Sequence, residues 1–341
     1  MTQWNDFLST QGAIFKDNEL LSFGDAPHEL AAANHNIITS LSHLGILEVS
    51  GGDAVTFLQG QVTNDVNKLD GNNSQYAGYC TPKGRLLALF LAFAHSDHLH
   101  LQMPLSILEP IMKRLKMYVM RSKVVITDKS ADIFCFGVAG PDAESALVKI
   151  FKEAPTSPLK LITLENATIL RLSGETPRYE VFTNQANAEF IWQALSETFT
   201  HVGKSVWDYL EIEAGIPEIV PATQEAFVPQ MINLDSLDGI NFKKGCYTGQ
   251  EIVARTHYLG KVKRRTQLAN INTEDMPQAG DAIQLEGHEE AIGQIVRAAP
   301  APNGGMTVLV EIRLENLEST TDSPAWKGKK LEFKALPYTL S

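Results

Sequence analysis

The chain has little cysteine. Its 341 residues include 3, Cys80, Cys135 and Cys246, set far apart. The odd number and wide spacing give no disulfide framework. With no C-x-x-C pair, a zinc site or a cluster held by this chain alone is not expected. Positive charge is also short: 29 Lys and Arg stand against 40 Asp and Glu, a net charge of -11. That argues against nucleic-acid binding over the whole surface, and any RNA contact would have to use a local basic patch. Long apolar runs are absent. The longest, Leu86 to Ala94, has nine residues, whereas a membrane-spanning helix needs about 20. The start, "MTQWNDFLST", has neither a basic nor an apolar leader region. These absences together predict a cytoplasmic, soluble protein in a reducing compartment, with no membrane partner.

What is present is ordinary globular composition, 44% hydrophobic and 20% charged, with 24 Gly and 16 Pro. The length exceeds what one core usually serves, so two or three domains are expected. "GILEVSG" (45–51) reads as a strand, and "SQYAGYCTPKGRLLALFLAFA" (74–94) as a hairpin turning at Thr-Pro-Lys-Gly. "SILEPIMKRLKMYV" (106–119) places Ser106 and Glu109 as a capping box. In "QANAEFIWQALSETF" (185–199) the periodicity turns Phe190, Ile191, Ala194 and Leu195 inward. After Arg265 the pattern changes to short strands separated by Gly and Pro, which predicts a small barrel or sandwich. The chain therefore reads as a mixed α+β body followed by an all-β domain.

One stretch asks for more: "NFKKGCYTGQEIVARTHYLGKVKRR", 241–265. Thr248 and Glu251 have capping-box spacing, and Tyr247 and Ile252 have hydrophobic-staple spacing, so a helix is expected to start at Gly249. Cys246 would lie close to the free amides of that helix. Lys244 precedes it by two residues, with Gly245 giving the turn its freedom. A lysine and a helix N-terminus both favour thiolate, so a lowered thiol pKa is expected. The competing reading is a small apolar filler in a turn. The bases Lys261, Lys263, Arg264 and Arg265 read either as functional or as a solvated strand edge.

At "KKGCYTGQEIVAR" the sequence resembles the YgfZ branch of the YgfZ/GcvT family, whose signature is K-G-C-Y/F-x-G-Q-E followed by an arginine. Lys244, Gly245, Cys246, Tyr247, Gly249, Gln250, Glu251 and Arg255 match it. "FLQGQVTNDV" (57–66), "GVAG" (137–140), "IEAGIPEI" (212–219) and "LPYTL" (336–340) agree in order. The resemblance covers almost the whole chain. It implies a three-domain ring around a central channel: residues 1–40 with 131–243 as a first, discontinuous α+β domain, 41–130 as a second, and 244–341 as a C-terminal β-barrel.

The resemblance also implies a cofactor, tetrahydrofolate or a one-carbon derivative. Glu213 falls on the glutamate that faces the pterin in the related glycine-cleavage T-proteins, and a carboxylate can accept two N–H bonds from a 2-amino pyrimidinone edge. Trp207 matches a tryptophan implicated in folate binding. Leu44 stands where the family has a second tryptophan, which removes one stacking contact. The catalytic Asp pair of the T-proteins falls on Ala88 and Leu89, and neither can move a proton. The implied role is an accessory protein for iron–sulfur enzymes, such as tRNA methylthiolases, with Cys246 and Lys244 as the working pair. Cys246 could ligate a cluster transiently, take a one-carbon adduct or exchange redox state. The alternatives are a folate-dependent aminomethyl- or methyltransferase, which Ala88 opposes, and a scaffold that folate merely stabilises.

Overall fold

The computed structural model describes residues 3–17, 19–260, 262–317 and 323–341. Lys261, one of the bases singled out above, lies outside them. The chain divides into two compact units, one of residues 1–54, 68–75 and 91–210, the other of 55–67, 76–90 and 211–341.

The first unit holds a six-stranded sheet in the order Leu161–Thr163, Ala167–Arg171, Arg178–Thr183, Phe134–Ala139, Ile37–Ser40, Thr200–His201. Its pairs are antiparallel except the last, which is parallel. Helices Gln3–Thr10, Ala143–Phe151 and Gln185–Ser196 supply the covering side chains, Trp4, Leu8, Leu147, Ile191, Trp192 and Leu195 among them. Asn184 caps the last of these helices, accepting from the Asn187 amide at 3.3 Å. The inward stripe is Ala188, Ile191, Trp192 and Leu195. Phe190, expected inside, is 66% exposed. The stripe follows strict i, i+3, i+4, i+7 spacing from Ala188, which leaves Phe190 on the far face.

The same unit holds a second antiparallel layer. Residues 91–95, the end of strand Leu86–His95, pair with His98–Pro104, which pairs with Leu44–Ser50, which pairs with Val125–Asp128. Helix Leu105–Val119 buries Ile107, Leu108, Ile111 and Leu115. A Cβ at Gly45 would come within 2.4 Å of Leu108 Cδ1, so glycine is what lets this helix lie so close to the strand. The expected Ser106 cap is absent. Pro104 is the capping residue and makes no side-chain bond, while Glu109 pairs with Lys113 at 2.6 Å. The helix thus starts before Ser106, which places that hydroxyl inside the first turn.

The second unit contains residues 76–90, the turn at 81–84 with the adjoining parts of strands Ser74–Cys80 and Leu86–His95. It also contains a closed six-stranded barrel in the order Arg264–Ile271, Met306–Arg313, Ala291–Pro300, Ala282–Leu285, Pro324–Trp326, Lys329–Lys334. The last strand pairs back to the first, so no edge is left open. Ile271, Ile283, Ile295, Val308, Val310 and Trp326 form much of its core. The fold is mixed α+β with a C-terminal barrel, as the composition shift implied. Among the described residues no helix is long and apolar enough to cross a membrane.

Candidate functional site: the Cys246 loop

Lys244 organises this loop. Its side chain is buried, and Nζ donates to the backbone carbonyls of Gln59, Val62 and Asn64 at 2.8, 2.6 and 2.8 Å. Three acceptors match the three N–H bonds of an ammonium. Burial pulls the Lys244 pKa down to about 8, and Asp65 acts in the opposite direction. The Tyr247 ring lies 5.1 Å from Nζ and is itself buried, which raises its phenol pKa.

The carbonyls are held from behind. Asn64 Nδ2 donates to the Tyr76 and Asp238 carbonyls at 2.8 and 2.7 Å, and Thr63 Oγ1 to the Gly239 carbonyl at 2.6 Å. Gln59 Nε2 donates to Asp65 at 2.9 Å. In the sequence the stretch "FLQGQVTNDV" carries the family resemblance, whereas its role as a cradle for Lys244 is visible only in the structure. Backbone carbonyls leave no side-chain signal.

Cys246 is exposed, whereas Cys80 and Cys135 are buried. Burial pushes the Cys80 thiol up to about 12 and raises that of Cys135 as well. The helix beyond Cys246 runs Gln250–Tyr258, one residue later than expected. Its N-cap is Gly249 at φ 86°, and no side chain caps it, so the capping box of Thr248 and Glu251 does not form. Tyr247 and Ile252 consequently fall outside staple positions. The glycine that needs its freedom is Gly249, not Gly245. A Cβ on Gly249 would sit 2.5 Å from the Thr81 carbonyl, whereas one on Gly245 would meet nothing within 4 Å.

The Thr81–Gly84 turn packs on this helix start. A Cβ on Gly84 would come within 2.9 Å of Ile252 Cβ. On the strand leaving the turn, Ala88 and Leu89 are buried and apolar. Of the bases downstream, Lys263 is exposed, whereas Arg264 and Arg265 are engaged inside the fold. Arg265 grips Asp235 at 2.5 and 2.9 Å, and Arg264 pairs with Glu311.

Residues 15–239 match the GCVT N-terminal domain family. Over 320 residues the chain is 33% identical to "tRNA-modifying protein YgfZ" of Colwellia psychrerythraea, covering 91% of this chain and 96% of that one. It is 34% identical over 281 residues to the protein of the same name in Yersinia pestis, covering 82% and 84%. The chain belongs to the YgfZ/GcvT family. In fold it is similar to the glycine cleavage system aminomethyltransferase T of Bartonella henselae, with a TM-score of 0.76, 16% identity, and 98% and 96% of the two chains covered.

The residues that the YgfZ/GcvT resemblance marked for folate have different immediate surroundings. Helix Lys204–Glu213 carries both Trp207 and Glu213. Trp207 is 1% exposed. Its ring fills the place of a side chain on Gly137, whose Cβ would come within 2.5 Å, and the Arg178 guanidinium lies 5.7 Å above it. Glu213 Oε1 accepts from Lys334 at 2.6 Å and from Thr307 at 2.9 Å, and Oε2 has no hydrogen bond to a described residue. Leu44 lines a cavity of about 300 Å³ within the first unit, together with Trp4, Ser40, Asp128 and Cys135.

Proposed function

We propose that this protein is a folate-binding accessory factor in tRNA modification that supports iron–sulfur enzymes such as tRNA methylthiolases, with Cys246 as its functional thiol. The exposed Cys246, on a loop anchored by the Lys244 ammonium, carries this reading. A structural cysteine of this fold would be expected inside, where Cys80 and Cys135 are. The names of the two relatives support the tRNA setting. The role of Lys244 is to position the loop: its three donors are spent on backbone, so it shapes the site without reacting.

Tetrahydrofolate or a one-carbon derivative is the proposed cofactor. Glu213 fits, because Oε2 is free to accept from a pterin N–H while Lys334 and Thr307 hold Oε1 in place. Trp207, 1% exposed with its ring packed against Gly137 and Arg178, offers no free face for stacking, so Glu213 alone carries the folate reading. Folate would supply a one-carbon unit, and Cys246 is the nucleophilic side chain this loop exposes. Ala88 and Leu89 offer no acid or base, which disfavours the aminomethyltransferase alternative.

The test is rescue. A strain lacking this protein is complemented with wild type or Cys246→Ser, and methylthiolated tRNA is measured by mass spectrometry. Cys246→Ser is expected to fold, bind tetrahydrofolate in calorimetry and fail to restore the modification. Full rescue by Cys246→Ser would reject the functional thiol.

A further inference from the structure

We infer that the surface around Cys246 is a docking site for single-stranded RNA, an inference that rests on the tRNA-modification reading above. The chain as a whole is acidic, yet residues 241–265 carry seven bases and one acid. Lys244, Arg264 and Arg265 are spent on internal partners. Lys243 and Arg255 are exposed and pair with no described residue. Lys83 is also exposed, on the Thr81–Gly84 turn that packs against the start of helix Gln250–Tyr258. The acid in the stretch, Glu251, is exposed on the same helix, so the patch keeps a net positive charge.

The second observation is a set of rings beside these bases. Phe242 and His257 stack at 3.7 Å with their planes 12° apart, and Tyr258 stands edge-on to His257 at 4.7 Å. Tyr258 is 63% exposed and the neighbouring Leu259 84% exposed. Tyr258 and Leu259 are adjacent, and with the ring stack they make a continuous exposed aromatic and apolar surface of the kind that marks a contact site. Unpaired bases stack on such rings, and phosphates seek the bases around them. An acidic protein surface would also meet these charges, but the near-parallel Phe242–His257 stack offers the flat geometry on which a nucleobase packs. The full assignment is therefore Lys83, Lys243 and Arg255 on phosphates, with His257 and Tyr258 under one or two unstacked nucleobases.

The test uses the full chain and two fluorescent RNAs, a stem-loop with an unpaired loop and a fully paired duplex of the same length. Affinity is measured by anisotropy across a salt series. The stem-loop is expected to bind more tightly than the duplex. Replacing Lys83, Lys243 and Arg255 together by Gln should flatten the log–log salt slope by about 2, at roughly 0.7 per lost phosphate contact. Tyr258→Ala should weaken stem-loop binding about tenfold and leave the slope unchanged. All four residues are exposed, so the fold is expected to survive, and thermal melting checks it. Equal affinity for both RNAs, or a slope indifferent to the triple variant, overturns the assignment. If the triple variant loses tRNA modification in cells while RNA affinity is unchanged, the patch serves a protein partner instead. The two readings fail separately. Patch-dependent RNA binding with full rescue by Cys246→Ser would sink the thiol alone. Patch-independent binding with failed rescue would sink the patch alone.

Discussion

Lys244 Nζ lies 2.6 Å from the carbonyl oxygen of Val62, although 182 residues of chain separate them. The lysine therefore ties the Cys246 loop to the 59–64 segment, and its loss strands three carbonyls. Lys244→Met is expected to cost about 3 kcal/mol or more, because each unmet buried polar group costs roughly 1–3. It should also change the response to pH. The folded pKa is about 8 against an ordinary 10.5. Between those values the unfolded chain keeps a proton that the folded chain releases, so stability contributed by this group rises with pH across that window. Denaturant melts of wild type and Lys244→Met from pH 7 to pH 11 read the difference. An equal pH slope in both would show that Lys244 does not titrate there.

Gly249 and Gly245 make an internal pair of controls. At φ 86° and 2.5 Å from the Thr81 carbonyl, a Cβ on Gly249 is both strained and crowded. Gly249→Ala is expected to cost at least ~1–2 kcal/mol from the left-handed backbone alone. Gly245→Ala meets open space and should stay within about 0.5 kcal/mol of wild type, as exposed substitutions usually do. Thermal melting of the two variants decides it, and equal losses would contradict the geometry.

Much of the architecture was legible because it rests on patterns that local sequence carries. Alternating strands, the Thr-Pro-Lys-Gly turn and the change in composition after Arg265 marked out the hairpin and the barrel. Details of helix termini were less legible. Ser106 and Thr248 both had capping spacing, yet the first helix is capped two residues earlier, at Pro104, and the second one residue later, at Gly249. At 248 the displacement follows from Gly249, which must lie against the Thr81 carbonyl. Phe190 and Trp192 show a different limit: two overlapping stripes fit the pattern, and packing on Trp4 and Phe136 selects Trp192. The K-G-C motif picks out the Cys246 loop, but not the backbone partners of Lys244. Spacing places a charge near a thiol, while the fold spends that charge on distant carbonyls.

Thiol labelling should separate the three cysteines. Cys246 is exposed, and Cys80 and Cys135 are buried with raised pKa values. Iodoacetamide at neutral pH is therefore expected to modify Cys246 alone in the native protein, and all three after denaturation. Peptide mass spectrometry reads the sites. Native labelling of Cys80 at a rate like that of Cys246 would mean that its strand opens readily.

The last prediction concerns chemistry that the fold invites and the residues decline. The likeness to an aminomethyltransferase extends over nearly the whole chain, so fold alone would suggest the same reaction. At the positions that the family resemblance matches to the catalytic Asp pair stand Ala88 and Leu89, 0% and 7% exposed. No methylenetetrahydrofolate should form from an aminomethylated carrier protein. Restoring one carboxylate should not help. An Asp at 88 would be buried, and burying a carboxyl without a partner either destabilises the strand or forces the group to stay protonated. Ala88→Asp is expected to lower stability by about 2 kcal/mol or more and to remain inactive. Turnover by the wild type at the rate of a genuine T-protein would show that the reaction needs no side-chain acid or base at these positions, and turnover by Ala88→Asp alone would show that one carboxyl there suffices.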